Sequence, residues 1–298
     1  MLLLTIDFQD SHIGESFYEQ LRHSLSILGG KGKSETIVDY QYNRKNGTAA
    51  LILSGLQDLH LDKKHHIIAI LTNVTVATYF SKWLEECLRE SFYYEDKEEI
   101  QSIVETAKLI FFPGLETKMI LLPFTFYQWQ QEIYKQISPF IEEDISFSFD
   151  SLIAFRLLNA KEKLLDVVEI AIDEYKMELE YQSMVQRCRD VLKEQKSKVE
   201  AVYVHLKDGV EFYDEEKKKL SLQQIYKWLH AETAFEKSLP YQERMIGPLV
   251  SMAPNKIYLF AQDIEDDLYH TLRNIFEERI VLMNRWPFDF SDKKIRGL

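Results

Sequence analysis

Cysteine is scarce: Cys87 and Cys188 are the only two in 298 residues, far apart and in no CxxC or Cys/His spacing. That excludes a disulfide scaffold and a zinc ribbon, and it fits a reducing compartment, the cytoplasm. Glycine (10) and proline (7) are too few for collagen or a Pro/Gly-rich disordered chain. Positive charge is also short: 36 Lys+Arg against 48 Asp+Glu leave a net charge of −12, which works against nucleic-acid binding through general electrostatics. The deficit is uneven, −9 over residues 1–150 (13 against 22) and −3 over residues 151–298 (23 against 26).

Long apolar runs are missing too. The start, MLLLTIDFQDSHIG, has no cationic segment before its apolar residues and meets Asp7 and Asp10 at once, so it reads as a strand and not as a leader. His66–Phe80 is shorter than the ~18–20 residues of a span and carries Thr72, Asn73, Thr75 and Thr78, which predicts a buried helix. Leu109–Tyr127 is broken by Pro113, Gly114, Glu116, Lys118 and Pro123; it can pack at a turn or make a peripheral, aromatic-rich membrane contact, but it does not span.

What is present is the pattern of an α+β protein. Residues 1–60 predict a small β-α-β-β unit: a strand over 2–8, a helix over 15–28 from the spacing of Phe17, Leu21, Leu25 and Leu28, and strands over 36–42 and 49–54 joined through Asn46-Gly47. Residues 61–145 predict a helical layer, with apolar positions recurring at threes and fours from Ile67 to Leu88 and further helices over 96–111 and 124–141. An acidic stretch after Pro139, residues 142–146, marks a soft boundary before a third region, 146–298. There a long amphipathic helix over 161–197 slips its apolar stripe near Glu178–Glu180, predicting a bend or break. A hairpin (199–206, 210–213, closed by Lys207-Asp208-Gly209), a helix over 223–230 and a β-α-β unit (256–261, 266–276, 280–283) complete a mixed sheet.

Motifs of chemistry are weak. Gly29-Gly30-Lys31-Gly32-Lys33-Ser34 misses a phosphate loop: position 27 is isoleucine, and the run joins a helix to a strand. His60, Asp62, His65 and His66 cluster without a metal-ligand spacing, and Asp62 suits a helix cap. No metal or cofactor is called for. Catalytic candidates reduce to His205 on a strand, with Asp208 beside it and Glu180-Tyr181 at the predicted bend; none completes a nucleophile pair, so an enzyme is the second choice. Arg187, Arg189 and Lys193, followed by Lys196 and Lys198, make the helix end basic and suit docking of an acidic protein partner or a phosphate. An exposed apolar stripe on the same helix would instead pair two copies of the chain.

Phe155-Arg156-Leu157, then Leu165, Val168 and Ala171, then Glu180-Tyr181, Val185, Val191 and Gln195, and finally Val204-His205, form an ordered series over residues 146–215. The series resembles the YtxC-like family of sporulation proteins of endospore-forming bacteria. It departs at Leu179, where the family pattern has lysine, and at Gln182-Ser183-Met184, where it is more aromatic. The resemblance implies a cytoplasmic protein of spore-forming cells and supplies no reaction; with no catalytic set assembled in the sequence, the expectation is action through protein–protein contacts.

Overall fold

The computed structural model describes residues 3–28, 37–55, 61–112, 114, 122–206, 210–227, 246–261 and 267–285. The glycine-lysine run at 29–34, His60 and Asp208 lie outside the described residues. The fold is α+β, as expected, and the chain divides into two compact units, Met1–Lys176 and Met177–Leu298.

In the first unit, β1 (Leu3–Phe8) alternates with period two: Leu4, Ile6 and Phe8 are buried, while Leu3, Thr5 and Asp7 face outward. It pairs antiparallel with β3 (Thr48–Ser54), which pairs antiparallel with β2 (Ile37–Asn43). The β2–β3 turn is closed at Gly47, whose φ of +73° suits a residue without Cβ. Helix α1 (Ser11–Leu28) lies on the buried face, so close that a Cβ at Gly14 would come 3.0 Å from the Phe8 ring.

Three helices share that core: α2 (Leu61–Glu90), α3 (Lys97–Phe111, capped by Asp96) and α4 (Phe126–Glu142, opened by the Thr125/Gln128 capping box). Among the described residues α2 is the one helix long and apolar enough to cross a bilayer, and 67% of its most apolar stretch is buried. The acidic turn after α4 is tied to the start of α2: the nearly buried Lys64 donates to Glu142 O and Asp144 Oδ1, both at 2.9 Å. The chain then forms β4 (Phe147–Ser148), a fourth strand parallel to β1, so the sheet order is β2-β3-β1-β4. The soft boundary read at 142–146 therefore lies inside one compact unit; the division falls between Lys176 and Met177.

After β4 come the one-turn α5 (Phe149–Ser151), a π-helical turn (Leu152–Arg156) and α6 (Leu158–Glu194). Helix α6 is continuous through Glu178–Glu180, so of the expected bend or break the break does not occur. Its stripe slips because it serves two cores: Leu164, Val167, Val168, Ala171 and Ile172 belong to the first, Met184, Val185, Cys188 and Leu192 to the second. No residue from 173 to 183 is buried.

The second unit is built on a sheet of order β6-β5-β7-β8. Strand β5 (Ala201–Leu206) pairs antiparallel with β6 (Val210–Tyr213) and parallel with β7 (Lys256–Ala261), which pairs parallel with β8 (Ile280–Leu282). Val202, Val204, Leu206, Ile257 and Leu259 pack with α6, with the fully buried α8 (Ile246–Met252) and with Leu268, Leu272 and Ile275 of α9 (Asp267–Phe276). The short α7 (Leu222–Tyr226) adds Ile225.

The first core centres on Trp129 of α4, 1% exposed, whose ring meets Phe80, Phe111 and Trp83 edge-on. Its indole Nε1 donates to Ala160 O at 2.8 Å, fastening α4 to the first turn of α6. Trp129→Phe, which keeps an aromatic ring and removes the N–H that bonds the Ala160 carbonyl, is expected to cost about 1–3 kcal/mol, and Trp129→Ala about 3–5 kcal/mol. Urea denaturation followed by tryptophan fluorescence and circular dichroism checks both; a Trp129→Phe variant as stable as the parent chain would reject the hydrogen bond's share.

Candidate functional site

The π-helical turn is the local irregularity of the first unit. Leu152 and Leu157, five residues apart, are both buried, and an α-helix would separate them by about 140°. The i→i+5 hydrogen bond from Leu157 N to Leu152 O, 3.0 Å, brings both to the core instead. Three of the four intervening residues are turned outward: Phe155 is 79% exposed, and Ala154 and Arg156 are exposed with it, while Ile153 packs partly against the core.

The same turn walls a cleft of about 320 Å³. One wall is a single stripe of α2, Tyr79, Lys82, Trp83 and Glu86, at the spacing that puts side chains on one helix face. Facing it are Ile153 and Ala154 of the π-turn, Leu158 and Lys161 of α6, and Asp150. Lys161 Nζ bonds Glu86 Oε2 at 2.6 Å and lies 3.7 Å from Glu90. Burial alone would lower the Lys161 ammonium, but the Glu86 hydrogen bond and the two carboxylate charges outweigh it and hold its pKa above the usual value. Burial, joined by the charges of Asp150, Asp10 and Glu86, pushes the Tyr79 phenol up to about 12, so it stays protonated. Lys82 Nζ stands 5.4 Å from the Tyr79 ring centroid. Neither Lys82 nor Arg156 forms an ion pair among the described residues. The lining holds no histidine or cysteine. What this arrangement offers is apolar and cationic contact.

The residues singled out from the sequence are dispersed. His205 is an odd position of β5, so it projects from the face opposite Val202, Val204 and Leu206, while Tyr181 packs against their core and accepts a hydrogen bond from Asn274 Nδ2 at 2.9 Å. Glu180 is exposed on α6. Helix α6 is not broken at Glu180-Tyr181, and His205 meets residues of β6 and β7. Its Nδ1 is 3.7 Å from Glu211 Oε2, and its ring meets Phe260 edge-on. Glu211 takes the Lys219 ammonium on one oxygen and the Tyr213 hydroxyl, 2.9 Å, on the other. The Lys219 hydrogen bond, helped by Tyr213 and working against burial, holds the Glu211 carboxyl below the usual range.

The basic helix end is likewise no single patch. Arg189 donates to Asn274 O (2.8 Å) and pairs with Glu277 (2.9 Å), anchoring the end of α9. Arg187 and Lys193 are exposed but six positions apart, so they point about 120° away from each other. His65 bonds the Tyr134 hydroxyl at 2.6 Å, and among the described residues no group of His, Cys, Asp or Glu could hold a metal ion.

The π-turn and the two β5 neighbours Val204 and His205 all fall within residues 65–281, over which the chain matches the sequence model of the YtxC-like family. This chain belongs to the YtxC-like family. It is similar along its whole length to a Bacillus subtilis (strain 168) protein named "Uncharacterized protein YtxC", at 24% identity over 303 residues and 99% of each chain. No solved structure matches. Phe155-Arg156-Leu157, which opens the ordered series of the family resemblance, lies at the end of the π-turn whose residues Ile153 and Ala154 line the cleft. Sequence reading gave it as the opening of the family series, ahead of the helix read over 161–197, without marking it as a site, because 3.6-residue periodicity carries no sign of an i→i+5 turn.

A carboxyl depressed in the fold contributes stability above its ordinary pKa of 4.5, and that contribution is lost as pH falls through the lower folded value. Acid unfolding followed by circular dichroism should therefore show a shallower loss of stability below pH ~4.5 in Glu211→Gln than in the parent chain. Superimposable acid limbs would refute the ion-paired role of Glu211.

Proposed function

We propose that this YtxC-family protein is a cytoplasmic, sporulation-associated protein that acts by holding a protein partner at the π-turn cleft. The observation that carries this reading is Phe155, a large aromatic side chain 79% exposed on a helical turn of rare geometry. Leu158, also exposed, extends the apolar surface toward the cleft, and Lys82 and Arg156 add two cations without an ion pair among the described residues. An apolar segment bearing acidic residues complements that surface. A polyanion does not, because Glu86 and Asp150 line the same cleft and the chain carries a net −12. Sporulation enters through the family resemblance. Two free, buried thiols, Cys87 and Cys188, suit a reducing cytoplasm.

Crosslinking capture of the tagged protein from sporulating cells tests the proposal. Phe155→Asp is expected to reduce recovery of a defined protein about tenfold or more, the effect of losing one interface anchor. Tyr127→Asp on α4, also an exposed aromatic, and Arg187→Glu on α6 should leave recovery unchanged. Loss of capture with Arg187→Glu and not with Phe155→Asp would return the docking role to the basic end of α6 and overturn the assignment to the π-turn.

A further inference from the structure

A cleft of about 770 Å³ lies in the first unit, at the carboxyl ends of the parallel pair β1 and β4. There each strand turns into a helix, β1 into α1 and β4 into α5. Open sheets offer ligand sites at such ends, because the diverging connections leave a crevice.

Strand register builds the floor. Gln41, Ala50, Asp7 and Ser148 stand in one row across all four strands on the outward face, and the small Ala50 leaves a depression between polar neighbours. Asn43, Thr48, Gln9 and Asp150 continue the lining, and Arg44 and Lys45 project from the β2–β3 turn. Asp150 accepts from Gln9 N at 2.8 Å, and Asp10 occupies the start of α1 by accepting from His12 N at 2.9 Å. By contrast, the side chains of Asp7, Arg44 and Lys45 have no hydrogen bond or ion pair among the described residues. Three charged groups of both signs thus line one cleft uncommitted. With strands about 4.8 Å apart and a rise of about 3.3 Å per residue, Asp7 on β1 stands roughly 11–14 Å, Cα to Cα, from the β2–β3 turn, a gap that long arginine and lysine side chains can partly bridge.

From this geometry we infer a binding site for a small zwitterion, a short peptide whose ammonium meets Asp7 and whose carboxylate meets Arg44 and Lys45. The charge spacing favours a dipeptide over a single α-amino acid, whose charged groups lie closer together than the two walls. Amide and hydroxyl groups of Gln41, Asn43 and Thr48 are placed to bond the peptide unit between the charges.

Glycylglycine, N-acetyl-glycylglycine and glycylglycine amide, titrated into the full-length protein and followed by calorimetry and NMR, test the assignment. The unblocked dipeptide should bind more tightly than either blocked form. Asp7→Asn should weaken glycylglycine by about tenfold while leaving the N-acetyl form unchanged, and Arg44→Gln/Lys45→Gln should do the same for glycylglycine while sparing the amide. All three positions are at the surface, and circular dichroism confirms that the variants fold. Equal binding of blocked and unblocked dipeptides, an Asp7→Asn variant that binds glycylglycine like the parent, or no binding at millimolar concentration would each overturn the proposal.

Discussion

The first unit depends on the burial of one indole. Trp129 must satisfy its N–H in a region where water has been excluded, and the carbonyl of Ala160 is the group that does so. That bond joins α4 to the opening turn of α6 and sets the ring against Trp83 and Phe80 of α2. The two helices that wall the π-turn cleft are thereby held through the same side chain. A second polar tether, the nearly buried Lys64 with Asp144 and Glu142 O, fastens the other end of α4 to the start of α2. Two charges sharing one desolvated spot add little net stability as a pair, but losing either partner leaves the other exposed to a low-dielectric surrounding.

Helix α6 obeys a different constraint. One continuous hydrogen-bonded rod supplies apolar side chains to two cores, and between them a stretch of eleven positions, 173–183, contributes nothing buried to either. Helical continuity there rests on backbone bonding and on residues such as Glu178 and Gln182, whose side chains bond one turn apart. Met177 and Leu179 remain exposed within it.

Elements with strong local chemistry were legible from residues alone. Strands β6 and β7 have the limits that their alternation and flanking turns imply, and α1 to α4 follow their three-and-four spacing. Strand β4 was not legible, since two residues carry no periodicity and its pairing with β1 spans nearly the whole first unit in sequence. The apparent break in α6 shows how a periodic pattern can mislead: a change of packing partner shifts the stripe just as a change of backbone does. At the level of sites, nearness in sequence suggested that Arg187, Arg189 and Lys193 act together, whereas a turn of about 100° per residue scatters them and Arg189 is consumed by α9. Phe155 escaped notice for the opposite reason. A lone aromatic reads as core until the turn that expels it is known.

A π-turn also stands one residue away from an ordinary helix. Removing a single residue between Leu152 and Leu157 would let α5 and α6 fuse in regular α-geometry and would relieve a conformation that helices seldom keep. The turn is thus equivalent to a one-residue insertion held in the chain against its own local preference. Such an insertion rotates Ala154, Phe155 and Arg156 outward, which gives a helical surface a protruding aromatic without the length of a loop.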